Sequence, residues 1–65
     1  MFVLVNGEIC LLPELQTLDA LLQYLSPAFP FVVARNEEVV PRGAYEECVI
    51  STGDRIDIVH PTAGG

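Results

Sequence analysis

Lysine is absent from this sequence, and Arg35, Arg42 and Arg55 are its only fixed cations against nine Asp and Glu, a formal charge of −6 at pH 7. So acidic a chain has no basic field with which to hold nucleic acid or an anionic lipid surface. It is drawn instead to a basic patch on a protein. Without lysine it cannot be built into isopeptide chains on its own side chains. His60 is the single histidine, so no Cys/His zinc cluster can form. A Ser-His-Asp relay would need that ring on a rigid element instead of in a chain end, and His60 is expected to be exposed. Cys10 and Cys48 lack metal-ligand spacing and read as small, buried or half-buried apolar residues of a reducing compartment. Glu46 and Glu47 oppose a reactive thiolate at Cys48. No glycine-rich phosphate loop is present, so no cofactor is expected on this chain and any ATP must be bound elsewhere. The acid pairs Glu37-Glu38 and Glu46-Glu47 sit on short loops and read as solvated charge, not as an acid/base pair in a cleft. No run approaches membrane-spanning length, and Met1 to Val5 is too short for a signal h-region, with no basic n-region before it. The cytoplasm is the expected location.

Sixty-five residues allow one domain with a small core, of a size that buries only about 60% of its unfolded surface. Phe2 to Val5 is an unbroken apolar run. Asn6-Gly7 follows, then Glu8 to Leu12. Asn-Gly between two strand-like runs predicts a hairpin on a type I′ turn, which needs φ > 0 at both central residues. With no polar alternation, the first strand is either covered on both faces or keeps one face for a partner. Pro13 closes the hairpin. Thr17 is the expected N-cap of a helix with Asp19 in its first turn. Leu18, Leu21, Leu22 and Leu25 form one apolar stripe at helical spacing, and Ser26-Pro27 ends it. Phe31 to Ala34 and Val39-Val40 predict a second hairpin. There Asn36 tolerates αL, but Glu37 stands where glycine would be easier. Arg42 to Val49 reads as irregular or a short helical turn, with Tyr45 as a packing anchor. Gly53-Asp54 turns the chain into a last strand carrying Ile56, Ile58 and Val59.

This order implies an α+β fold: a mixed sheet of four to five strands with one main helix packed on one face. The simplest closure sets the last strand centrally, beside and parallel to the first, with the helix in the crossover. That is the β-grasp arrangement of ubiquitin. Residues 1–59 form the expected domain and 60–65 a flexible tail. Fully extended, His60 to Gly65 would reach about 20 Å beyond the last strand. Gly64 and Gly65 present a carboxylate with no Cβ beside it, a shape suited to a narrow enzymatic channel.

Several landmarks together resemble the thiamine-pathway sulfur carriers, the ThiS family, across nearly the whole chain. They are Val5-Asn6-Gly7-Glu8, Thr17-Leu18 with Leu21-Leu22, and Asn36-Glu37-Glu38-Val39-Val40-Pro41-Arg42. Gly53-Asp54-Arg55-Ile56, Ile58-Val59 and the ending Ala63-Gly64-Gly65 complete the set. The Val-Val-Pro-Arg element followed by an aromatic, and the Ala-Gly-Gly end, are the most specific. This chain departs from the family at Arg35, where leucine is common, and at Tyr45, where tryptophan is common. Glu37 replaces a frequent glycine, so the second hairpin is expected to use another turn. Pro61 is unusual in the tail, where it stiffens φ.

The resemblance implies a cosubstrate, not an enzyme. Its terminal carboxylate at Gly65 would be adenylated by an E1-like adenylating enzyme (ThiF-type) using ATP. A sulfur donor enzyme would then convert it to a thiocarboxylate, and a thiazole synthase (ThiG-type) would accept the sulfur. Thr62, Ala63 and Gly64 would be read in the partner's channel, and the carrier alone would be a monomer. Within the same fold, the small subunit of molybdopterin synthase also ends in Gly-Gly. From another class, a β-grasp binding module with an incidental Gly-Gly remains open. Period-two alternation groups Val3, Val5, Ile56 and Ile58 on one sheet face and Phe2, Leu4, Asp57 and Val59 on the other. The resemblance places the first group toward the helix and makes the second the docking face.

Overall fold

The computed structural model describes residues 1–14 and 16–61. Five strands, β1 (Phe2–Val5), β2 (Glu8–Leu11), β3 (Val32–Arg35), β4 (Glu38–Val40) and β5 (Arg55–Val59), enclose one helix, α1 (Leu18–Leu25), and a 3₁₀ turn at Arg42–Ala44. The sheet order is β2-β1-β5-β3-β4. β1 and β5 run parallel, and the remaining pairs are antiparallel. The last strand is therefore central, as the β-grasp arrangement requires.

Each hairpin turns on an asparagine. Asn6 (φ 50°) and Gly7 (φ 84°) carry the positive φ pair that matches the right-handed twist of β1 and β2. The expectation that the second hairpin would use another turn is not met. Asn36 (φ 50°) and Glu37 (φ 73°) repeat the same two-residue pattern, and Arg35 faces Glu38 across it. Tertiary bonds hold Glu37 there despite its Cβ: the neighbouring Asn36 accepts from the Arg55 amide through Oδ1 at 2.9 Å, and its own amide donates to the Arg55 carbonyl at 2.7 Å.

The first asparagine does the same for the parallel pair. Asn6 donates from its backbone to Ile56 O. Its side chain then accepts from the Ile58 amide at 2.7 Å and donates to Ile58 O at 3.2 Å. A side-chain amide thus continues the β1–β5 ladder one step beyond the point where the backbone turns away. Both hairpins are clasped to β5 by the residue that makes their turn.

The helix forms where its caps allow. Thr17 is extended (φ −80°, ψ 162°) and its hydroxyl accepts from the Ala20 amide at 3.2 Å. Ser26 takes the left-handed conformation at the other end and its amide returns to Leu22 O. Leu18, Leu21 and Leu22 are buried, with Leu25 packed at the margin. They meet Val3, Val33 and Ile56 from the sheet, and Leu12 and Ile50 complete the same buried cluster. Tyr45 is half-buried against this cluster, in keeping with an anchoring role, and both cysteines are half-buried with free thiols.

The tightest polar cluster lies where β5 begins. Ser51 to Asp54 forms a turn, with Asp54 N donating to Ser51 O at 3.0 Å and Gly53 at φ 84°, the positive φ that a type II turn needs at its third residue. Asp54 is buried and accepts from Ser51 N at 2.7 Å, from Arg35 Nε at 2.9 Å and from Asn36 Nδ2 at 3.2 Å. Arg35 Nη2 reaches the same carboxylate at 2.9 Å. Arg35 is thus a partner for this acid.

Candidate functional site

The sheet has one face under the helix and one face that no described residue covers. Val3 and Ile56 are fully buried and Val5 and Ile58 pack against the core, so the helix side holds the group expected there. Phe2 is 40% exposed and Val59 57%, with Leu4 and Asp57 half-buried. The alternation therefore resolves as expected, and the apolar first strand keeps its second face open.

The face is wider than four residues. Phe2 pairs with Leu11 and Leu4 with Ile9 across β1 and β2. On the other side, Val32 pairs with Val59 and Ala34 with both Asp57 and Val39. Residues paired across a ladder share a face, so Ile9, Leu11, Val32 and Val39 belong to the same surface. Leu11 is 77% exposed. These were missed because period-two reading was applied to the first and last strands alone. Carried across the two hairpin turns, the same alternation locates them.

At the centre of this apolar field Arg55 Nε lies 3.5 Å from Asp57 Oδ2, with both side chains partly exposed. Such a pair contributes little to stability. It places one charged pair in the middle of an otherwise apolar, exposed surface.

β5 delivers the chain to the end of this sheet. Val59 is its last residue, and His60 and Pro61 follow, both exposed. The ring of His60 contacts the Pro30 carbonyl through Nδ1 at 3.2 Å. Thr62, Ala63, Gly64 and Gly65, the tail positions singled out from the sequence, lie outside the described residues. Among the described residues no cluster of His, Cys, Asp and Glu could hold a metal ion, and no helix is long and apolar enough to cross a membrane.

A five-stranded mixed sheet with a central parallel last strand, one helix on one face and an open apolar face on the other defines a ubiquitin-like β-grasp protein. The ThiS family model matches residues 3–65, and the chain belongs to that family. Its fold is similar to the crystal structure of a thiamine biosynthesis protein (ThiS) from Geobacter metallireducens, 28% identical, with TM-score 0.89 and all of both chains covered. It is also similar to an NMR solution structure of a thiamine biosynthesis protein from the same organism, 28% identical, with TM-score 0.80, covering all of this chain and 88% of that one. Among curated proteins, none matches the chain.

Proposed function

We propose that this chain is a sulfur carrier of thiamine biosynthesis, holding sulfur as a thiocarboxylate on Gly65. The observation that carries the reading is the ThiS-family match, which spans residues 3–65 and so includes Gly65.

The chemistry follows from the terminus. A carboxylate resists nucleophilic attack because its oxygen leaves badly. Attack of the Gly65 carboxylate on the α-phosphorus of ATP, with loss of pyrophosphate, makes an acyl adenylate whose leaving group is AMP. A sulfide-level donor then forms the carbon–sulfur bond and AMP departs, leaving the thiocarboxylate. That anion is a soft nucleophile suited to a thiazole synthase. ATP is bound by the E1-like activating enzyme, and this chain supplies one acyl group. Thr62, Ala63 and Gly64 fit a narrow channel because none carries a large side chain.

The open sheet face around Phe2, Leu4, Asp57 and Val59 is the docking surface in this reading. The test is the intact mass of the chain after incubation with an activating enzyme, ATP and a sulfur donor. One oxygen replaced by sulfur at Gly65 is expected, with no replacement in a chain lacking Gly64 and Gly65. A wild-type chain that gains no sulfur overturns the reading, as does a truncated chain that still gains it.

A further inference from the structure

The junction between β5 and the C-terminal residues has a construction of its own. Beyond the Val32–Val59 pair, the antiparallel ladder of β3 and β5 meets proline on both sides, Pro30 before β3 and Pro61 after β5. Neither has an amide hydrogen, so neither proline can donate a backbone bond across the ladder. The Pro30 carbonyl is nonetheless engaged, because His60 Nδ1 lies 3.2 Å from it. A carbonyl can only accept, so this contact is a hydrogen bond when that nitrogen carries the proton. Pro61 then borders a cleft lined by Phe29, Phe31, Pro41, Arg42 and Tyr45. The wall's own side chains touch one another: the Phe29 and Phe31 rings meet edge to face at 6.4 Å, and the Arg42 guanidinium lies over Phe29 at 4.8 Å. Arg42 is also the one arginine of the three without an ion pair among the described residues.

We propose that His60 is a positioning residue for sulfur loading: its bond to Pro30, with Pro61 set against the Phe29–Arg42 wall, fixes where and in which direction the chain leaves the domain. This rests on the carrier reading above. A terminus that must enter a partner's channel loses orientational freedom on entry, and holding its root in the folded domain removes part of that loss before binding. Pro61 contributes to the same end by restricting φ next to the clasp.

The test compares wild type, His60→Ala and His60→Asn in steady-state loading by the activating enzyme with ATP and a sulfur donor. Asn places an amide N–H near the position of Nδ1–H. The expected result is a KM about fivefold higher for His60→Ala at unchanged kcat, the worth of one net hydrogen bond, with His60→Asn close to wild type. An unchanged KM in His60→Ala overturns the proposal, and so does an Asn variant as impaired as the Ala variant. Independently of loading, the ¹⁵N spectrum of the neutral His60 ring is expected to show the Nδ1–H tautomer, because the bond made by the ring sets which nitrogen keeps the proton. An Nε2–H ring overturns the clasp itself. A wild-type chain that takes up no sulfur overturns the carrier reading and the loading role with it, while the tautomer still decides whether the clasp exists.

Discussion

Asp54 carries the strongest electrostatic demand in the domain. Burial alone would push its carboxyl upward, but the Ser51 amide, the Asn36 side chain and the Arg35 guanidinium outweigh that and hold it below the ordinary aspartate value. A carboxyl whose pKa is lower folded than unfolded stabilises the fold fully above the unfolded value. That contribution fades as pH falls through the ordinary aspartate range near ~4 and is gone below the folded pKa. Asp54→Asn is therefore expected to cost about 2 kcal/mol at neutral pH, the scale of a charge-assisted hydrogen bond, and to flatten the acid limb of stability. Urea unfolding midpoints from pH 7 down to strongly acidic pH would show the two curves converging; parallel curves would contradict the assignment. Glu37 carries the opposite kind of cost. At φ 73° its Cβ crowds the backbone, a strain of about 1–2 kcal/mol for an L-residue in the left-handed region. Glu37→Gly gives part of that back in unfolded-chain entropy. The net expectation is about 1 kcal/mol of added stability, a Tm higher by roughly 4–8 °C for a domain this size.

At the scale of elements, caps and turns decide where the apolar pattern is used. Thr17 holds the first turn of α1 through one hydroxyl bond. Thr17→Ala is expected to destabilise by about 1 kcal/mol, while Thr17→Ser should cost only a fraction of that; equal losses in a thermal melt would show that the methyl group, not the hydroxyl, matters. The elements themselves were legible because each rests on local chemistry: Asn6-Gly7 for the first turn, the leucine stripe for the helix, β-branched residues after Gly53-Asp54 for β5. The second turn was misjudged because its stabilisation is not local. Glu37 keeps a conformation it disfavours since Asn36 is bonded to Arg55 and Asp54, nineteen and eighteen residues away. The Arg35–Asp54 pair was illegible for the same reason, and so was the contact between His60 and Pro30, which depends on β3 and β5 being neighbours. Of the candidate site, the alternation in β1 and β5 assigned Phe2, Leu4, Asp57 and Val59 to one face. Ile9, Leu11, Val32 and Val39 required the strand order.

At the scale of the whole molecule, two surfaces answer two needs. The chain is acidic, which draws it toward a basic partner over distances of about a Debye length. Its open face is apolar around the Arg55–Asp57 pair, so docking through it, as proposed above, would gain from burial instead of from charge. These contributions separate by mutation at Phe2, which is 40% exposed and outside the fully buried core. Phe2→Ala removes apolar area only. Phe2→Glu removes the same area and adds negative charge, which would favour a basic partner at long range. If the face docks by burial, both variants bind the activating enzyme more weakly, and Phe2→Glu is weaker still because a carboxylate must be desolvated against apolar groups. The expected loss for Phe2→Glu is about 2 kcal/mol or more, roughly 30-fold in Kd. Stability should change by less than about 1 kcal/mol, since the side chain is not part of the closed core. Titration calorimetry at two salt concentrations, alongside thermal melts, measures both. Binding that is unchanged in Phe2→Ala and improved in Phe2→Glu would show that charge carries the association and that this face does not.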